Sequence, residues 1–153
     1  AGTVESMRDA VREALAEADL LVMAAAPADF RPSTPAAQKI KKRDGAASPV
    51  IELTRTHDIL ESTIHSRRDG CVVVGFALET ENLLENSASK LEQKKLDMIV
   101  ANSAVEEGAG FGGDTNRVII LLKDGTREEV PSMKKTEVAD VILDRAGALM
   151  NGR

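Results

Sequence analysis

The sequence predicts an α/β fold in which a mostly parallel sheet is flanked by helices. Three runs are apolar throughout, namely DLLVMAAA (19–26), CVVVGFA (71–77) and DMIVAN (97–102). Such runs are typical of strands that are buried on both faces of a sheet. Segments with helical spacing lie between them, which indicates parallel strands joined by helices. The 153 residues suffice for one domain with its own core.

The segments around these runs supply the first helices. Apolar residues between Val4 and Ala18 recur at helical spacing after Thr3, a good N-cap residue. Further elements are predicted as a short strand at VIEL (50–53), a short helix from Asp58 to Ser66, and a helix from Thr80 to Lys95.

The last third of the chain is predicted to form a β-hairpin and a closing helix. The strand RVIILL (117–122) is followed by Asp-Gly (124–125), a typical hairpin turn, and then by TREEV (126–130). The closing helix is predicted to follow Ser132.

Composition and charge argue against several classes of function. The net charge of −5 disfavours nonspecific binding of nucleic acid, which needs a basic face. No apolar run approaches the ~20 residues of a membrane span. Cys71, the single cysteine, excludes an internal disulfide and is expected to be a small buried side chain at the start of a strand. We therefore expect a cytoplasmic protein that binds neither nucleic acid nor a membrane.

The predicted topology locates a binding site. In sheets of this kind, ligands bind beyond the carboxyl ends of the parallel strands. The three buried runs end at Ala25-Ala26, at Gly75-Phe76 and at Ala101-Asn102. These ends, and the loops that follow them, should therefore form one rim of the sheet.

Several charged residues fall on this rim. Asp29 follows the first strand and could hold Mg²⁺ or cap the next turn. The KIKK cluster (39–42) could be a phosphate-binding arm or a solvated charge run. Lys90 and Lys94 are four residues apart, so they share one face of a helix. They could bind phosphate oxygens or simply form a solvated pair. Each signal is weak alone, but together one carboxylate and several lysines suit a triphosphate.

Other chemistries are poorly supported. The glycine-rich segment EEGAGFGGDTN (106–116) lacks the phosphate-loop pattern and precedes a strand, so we interpret it as a mobile loop near the site. His57 and His65 are too isolated to indicate a metal site. A nicotinamide reductase would need G-x-G-x-x-G and usually a Tyr-x-x-x-Lys pair, and the chain contains no tyrosine.

Four segments resemble a known family in order and spacing. They are AAAPADFRPSTPAAQKIKK (24–42), VGFALET (74–80), KLEQKKLDMIVAN (90–102) and GFGGDTNRVIILLKDG (110–125). Together they resemble the phosphopantothenate–cysteine ligase domain of coenzyme A biosynthesis, in most bacteria the carboxyl-terminal half of a bifunctional protein. The resemblance implies a Rossmann-like fold with a C-terminal β-hairpin, and a homodimer formed through a projecting arm at about 28–53.

The resemblance also implies an activity and a set of site residues. Ligases of this family use CTP to join 4′-phosphopantothenate to cysteine through an acyl-cytidylate, while FMN serves only the decarboxylase half, outside this chain. Asp29 would hold Mg²⁺, and Lys39 would be the catalytic lysine. The nucleotide would be contacted by Met23, Ala24, Ala25, Ala28, Asp29, Phe30, Lys39, Thr56, His57, Asp58, Ile59, Phe76, Lys90 and Lys94.

The chain departs from the family pattern in two places. It reads THDI at 56–59, where the family often has N-P-D-I, so His57 replaces a proline that would stiffen the turn. The glycine-rich first strand turn and the segment that holds the acyl-cytidylate have no counterpart here. We therefore interpret residues 1–153 as the C-terminal portion of one ligase domain. The alternative function is an inactive fragment that binds nucleotide and dimerises.

Overall fold

A five-stranded sheet forms the centre of the structure. The computed structural model describes residues 2–41, 50–103 and 113–152. The strands are β1 (Leu20–Met23), β2 (Phe30–Pro32), β3 (Leu53–Arg55), β4 (Val72–Glu79), β5 (Met98–Ser103), β6 (Thr115–Leu122) and β7 (Arg127–Lys134). The helices are α1 (Val4–Ala14), α2 (Ile59–Ser62), α3 (Leu83–Gln93) and α4 (Lys135–Asn151), with a 3₁₀ turn at Ile64–Ser66.

The strand order in this sheet is β1-β4-β5-β6-β7. The first three strands are parallel, and they correspond to the three apolar runs of the sequence. Strands β6 and β7 form the predicted hairpin, in which Gly125 at the turn has a φ of 89°, and β6 pairs antiparallel with β5. The α/β class, the flanking helices and the C-terminal hairpin are therefore confirmed.

Helices cover both faces of the sheet, which explains why the central strands are apolar throughout. Val72 and Val74 of β4 are buried in the core beneath α4, whereas Val73 between them is buried in the core beneath α1, α2 and α3. Cys71 is buried at the start of β4, as predicted. Thr3 caps α1, since its side-chain oxygen accepts a hydrogen bond from the backbone N–H of Ser6 at 3.1 Å.

Two strand predictions differ from the structure. The VIEL strand begins only at Leu53 and pairs antiparallel with β2, a strand that the sequence did not predict. Val50 and Ile51 precede it and are exposed, because this two-stranded ribbon lies outside the central sheet. The first buried run also stops pairing early: β1 ends at Met23, level with Gly75 of β4.

Two helix predictions also change. The helix expected from Asp58 to Ser66 is one α-helical turn followed by a 3₁₀ turn. Thr63 lies at the junction, where its backbone N–H and its hydroxyl both donate to the carbonyl of Ile59, at 3.1 and 2.7 Å. Such bonding of a threonine hydroxyl back to the preceding turn tends to bend a helix. The closing helix begins only after β7 has passed through Ser132. There the Glu137 carboxylate accepts from the backbone N–H of Lys134 at 2.9 Å.

Some predicted features lie outside the described residues. These are Lys42 and the middle of the 28–53 arm, together with most of the glycine-rich segment at 106–116. Among the described residues, no helix has the length and apolar character needed to cross a membrane.

Gly75 allows α2 and the turn after α3 to approach β4 closely. A Cβ added there would lie 2.6 Å from the Cδ1 atom of buried Leu96. We expect Gly75→Ala to lower the free energy of unfolding by about 1–3 kcal/mol, the usual cost of overpacking. Gly147→Ala is the matched control: nothing lies within 4 Å of its added Cβ, so it should raise this free energy by about 0.5–1 kcal/mol. Urea unfolding of both variants tests this, and an undiminished stability of Gly75→Ala would contradict it.

Candidate functional site

A cavity of about 460 Å³ lies at the carboxyl ends of β1, β4 and β5. The cavity exists because β1 stops at Met23 while β4 runs on to Glu79. The segment 76–78 of β4 therefore pairs with β5 on one edge but has no strand partner among the described residues on the edge that faces β1. The chain leaving β1 forms the facing wall, from Ala24 to Asp29. The size is within the usual range for small-molecule sites.

The cavity brings together all but two of the residues that the sequence predicted for the site. Phe30 and Lys39 are the exceptions: Phe30 is in β2 and Lys39 follows it, and both are exposed outside the cavity. The predicted residues that line it are Met23, Ala24, Ala25, Ala28, Asp29, Thr56, His57, Asp58, Ile59, Phe76, Lys90 and Lys94. The sequence had not singled out Leu60, Ala77 and Leu78, which also line it.

Thr56 holds the loop that follows β1. Its hydroxyl donates to the carbonyl of Ala28 at 2.5 Å, and its backbone N–H donates to the carbonyl of Asp29 at 2.9 Å. These bonds fix the backbone on either side of the Asp29 Cα atom. The exposed carboxylate of Asp29 is therefore presented at the cavity by an anchored loop.

Asp58 has two structural partners at the cavity wall. One carboxylate oxygen accepts from the backbone N–H of Glu61 at 3.0 Å and so caps α2, while the other lies 2.6 Å from the Lys94 ammonium. Burial raises the pKa of the Asp58 carboxyl, but the Lys94 ammonium and the backbone N–H groups outweigh burial and leave this pKa below its ordinary value. Asp58 is thus a charged partner of Lys94 at neutral pH.

Lys90 is also paired with a carboxylate. Its ammonium lies 2.5 Å from an oxygen of Glu79, whose other oxygen accepts from the Asn86 amide at 3.2 Å. Sequence reasoning missed Glu79 as a site residue, although it belongs to the VGFALET motif (74–80); the predicted strand ended before it, whereas β4 runs on to Glu79. Both cavity lysines therefore have an acidic partner, and a phosphate ligand would take up donors that Glu79 and Asp58 now occupy.

The cavity suits a magnesium ion only in combination with a ligand. Mg²⁺ at nucleotide sites is usually held by one or two carboxylates together with phosphate oxygens. Asp29 supplies such a carboxylate at the cavity, whereas both carboxylate oxygens of Asp58 already have partners, in the Glu61 N–H and the Lys94 ammonium. Across residues 2–41, 50–103 and 113–152, no group of three or more His, Cys, Asp or Glu side chains could hold a metal ion. The residues fit an ion that the phosphates of a ligand help to bind.

Fold and cavity together define an α/β domain of the Rossmann-like class, with a cavity at the carboxyl ends of its parallel strands that combines an apolar lining with charged side chains. Residues 1–149 match the DNA/pantothenate metabolism flavoprotein C-terminal domain. The chain belongs to this family, in agreement with the resemblance that the sequence motifs indicated.

Curated relatives support this assignment. The chain is 43% identical over 143 residues to the coenzyme A biosynthesis bifunctional protein CoaBC of Bacillus subtilis, covering 94% of this chain and 34% of that protein. It is 41% identical over 145 residues to a cysteine/cysteine sulfinic acid decarboxylase of an unknown prokaryotic organism, covering 95% of this chain and 40% of that protein. The chain thus spans less than half the length of these relatives.

A solved structure agrees with the fold. The crystal structure of the C-terminal domain of a CoaBC protein superposes with a TM-score of 0.75 at 32% identity. The alignment covers 98% of this chain and 64% of that domain chain.

Asp58→Asn should separate the ion pair from the helix cap, because asparagine is also a good N-cap residue. We expect the free energy of unfolding to fall by at most about 1 kcal/mol at neutral pH, the range for exposed ion pairs. The folded pKa of Asp58 is below the unfolded one, so the loss should be full above the unfolded pKa and vanish as the pH falls through the folded pKa. Urea unfolding at neutral and acidic pH, with Asp140→Asn on α4 as control, measures it. A pH-independent loss would contradict the ion-pair explanation.

Proposed function

We propose that the cavity binds CTP and that this domain serves the CTP-dependent ligation of 4′-phosphopantothenate with cysteine. The products would be 4′-phosphopantothenoylcysteine, CMP and pyrophosphate. The observation that carries the proposal is the meeting of Asp29, Lys90 and Lys94 around one cavity, in a chain of this family. The CoaBC relatives, named for coenzyme A biosynthesis, support the substrate class.

The proposed reaction has two steps. A carboxylate oxygen of 4′-phosphopantothenate attacks the α-phosphorus of CTP, and the bond from that phosphorus to the bridging oxygen breaks to release pyrophosphate. The amine of cysteine then attacks the acyl carbon of the acyl-cytidylate, forming the amide, releasing CMP and giving up a proton. Such a reaction needs neutralised phosphate charge and aligned substrates more than it needs a protein nucleophile.

The described residues can meet these needs. Lys90 and Lys94 would exchange their carboxylate partners for phosphate oxygens, while Asp29 would hold Mg²⁺, which supplies further charge neutralisation when bound. The backbone from Met23 to Ala25 and at Ala28 would contact the nucleotide. Thr56 to Ile59 and Phe76 would enclose the rest of it.

Lys39 is assigned to the transferring groups, and it would act in a homodimer. In its own chain Lys39 lies outside the cavity, on an exposed segment. The same arm exposes large apolar side chains, and Phe30, Ile40 and Leu53 are 52%, 62% and 59% exposed. Exposed apolar side chains in this number support a contact with a second copy, through which Lys39 would reach the partner's cavity.

The proposal is tested by following pyrophosphate release from CTP in the presence of 4′-phosphopantothenate and cysteine, with ATP as the comparison nucleotide. We expect a preference for CTP. Binding of CTP without turnover would favour the alternative, a nucleotide-binding and dimerising segment that is inactive by itself. Equal or better turnover with ATP would contradict the assignment of the base pocket.

Lys90→Ala and Lys94→Ala should each weaken CTP binding by about tenfold, since each removes one charge-assisted hydrogen bond to phosphate. Added salt should weaken the affinity of the wild type further. Lys135→Ala is the control, because Lys135 is exposed at the start of α4, outside the cavity. Calorimetry gives the affinities, and unchanged values for both cavity variants would show that these lysines are only surface charges.

Lys39→Ala should abolish ligation and leave folding intact, because Lys39 is exposed and lies outside the strands and helices. Turnover should be measured in a full-length ligase domain that contains this sequence, with the melting temperature as the check on folding. Near wild-type turnover of the folded variant would contradict the role in stabilising charge on the transferring groups.

A further inference from the structure

Arg67 lies behind the cavity and hydrogen-bonds three backbone carbonyls. It follows the 3₁₀ turn and is partly buried. Its Nη2 donates to the carbonyls of Leu60 at 2.7 Å and Lys94 at 3.0 Å, and its Nη1 donates to the carbonyl of Lys95 at 2.7 Å. One guanidinium therefore bridges the backbone of α2 to the backbone that ends α3.

The carbonyls at the end of α3 need such a donor. Lys95 has a left-handed conformation with φ of 48°, and the backbone N–H of Leu96 donates to the carbonyl of Leu91 at 2.9 Å, as in a Schellman cap. This cap leaves the carbonyls of Lys94 and Lys95 beyond the helical pattern, at the negative end of the helix dipole. Arg67 supplies hydrogen bonds and positive charge at that end.

Two of the three residues whose carbonyls Arg67 binds also line the cavity. Leu60 and Lys94 line the cavity with their own atoms, while their carbonyl oxygens accept from Arg67. Asp58, which caps α2 two residues before Leu60, pairs with the Lys94 ammonium at 2.6 Å. The Arg67 bridge and the Asp58–Lys94 pair thus join the same two helices, the pair at the cavity wall and the bridge outside the cavity lining.

Arg67 occupies this position at an energetic cost. Burial lowers the pKa of its guanidinium from the ordinary value, although Cys71 and Asp97 act in the opposite direction. Its Nε atom is buried without a hydrogen-bond partner among the described residues. A desolvated guanidinium with an unpartnered nitrogen is a costly way to join two helices. What it offers over an apolar contact is a planar arrangement of donors that fixes the geometry of several acceptors.

We propose that Arg67 is a positioning residue, which sets the last turn of α3 against α2 so that Lys94 and Asp58 meet at the cavity wall. The consequence for nucleotide affinity rests on the proposed function, because Lys94 is there a phosphate ligand. The consequence for the Asp58–Lys94 pair does not depend on any ligand.

Three variants test the proposal. Arg67→Met keeps an unbranched apolar stem but removes every donor and the charge, and Arg67→Lys keeps the charge but not the planar donors. The matched control is Arg68→Met at the next residue, which is exposed and pairs with Asp19 at 2.6 Å. Thermal unfolding shows whether each variant is folded at the temperature of the measurements.

The first readout is an NMR titration of the Asp58 carboxyl carbon without nucleotide. Asp29, His57 and Lys90 also line the cavity and are present in all variants. Arg67→Lys keeps the positive charge of Arg67, so a difference in the Asp58 pKa between this variant and the wild type reports the Lys94 contact. We expect the pKa of Asp58 to rise toward its ordinary value in Arg67→Met, to lie between the two in Arg67→Lys, and to be unchanged in Arg68→Met. A general loss of stability would not move this pKa in molecules that remain folded.

The second readout is CTP affinity by calorimetry. Arg67→Met should lose about tenfold, the value of one misaligned charge-assisted hydrogen bond, and Arg68→Met should match the wild type. A folded Arg67→Met variant with an unchanged Asp58 pKa would overturn the proposal. If Arg67→Met does not fold, an Arg67→Lys variant identical to the wild type in both readouts would overturn it. A shifted Asp58 pKa in a protein whose wild type does not bind CTP would support the positioning role and reject the proposed function.

Discussion

The parallel pairing of β1, β4 and β5 is the constraint on which the rest of the structure depends. Parallel strands end at the same edge of a sheet, so residues far apart in sequence, such as Asp29 and Lys94, are brought to one cavity. The register sets the shape of this cavity: Met23 pairs with Gly75 and ends β1, while β4 continues to Glu79. Gly75, the partner of Met23 in the sheet, also determines how closely α3 approaches. Because it has no side chain, Leu96 and the turn that ends α3 can pack directly against β4 there.

The two lysines of the cavity are paired with carboxylates before any ligand binds. Lys90 is paired with Glu79 and Lys94 with Asp58, so the ammonium groups are held in place by acids of the same chain. In the proposed function, binding of a triphosphate would then be an exchange of acceptors at lysines that are already oriented. Such an exchange spares the cost of ordering two long side chains. In the proposed function, Lys39 on the arm would add a further positive charge from outside the cavity of its own chain.

The sequence predicted the parts of the fold that depend on burial. Strands covered on both faces must be apolar throughout, and a lysine pair four residues apart must share a helix face, so β4, β5 and the Lys90/Lys94 pair were recognisable. Strand β2 was not, since its residues are exposed and carry no burial pattern. The change from α2 to a 3₁₀ turn falls at Thr63, whose hydroxyl bonds back to the Ile59 carbonyl, and a helical pattern does not reveal such a contact. Glu79 and Arg67 were missed because their partners are fixed only by the folded chain.

Arg67 illustrates why such residues escape sequence reasoning. Its acceptors are backbone carbonyls, which every residue carries, so no side-chain pattern marks the contact. The contact becomes necessary only because α3 ends with Lys95 in a left-handed conformation and leaves carbonyls without helical donors. The end of α3 also carries Lys94. The hydrogen bond that Arg67 donates to the Lys94 carbonyl therefore also fixes the backbone from which the Lys94 side chain reaches the cavity. The hydrogen bonds that Arg67 donates at the end of α3 are thereby coupled to the Asp58–Lys94 ion pair.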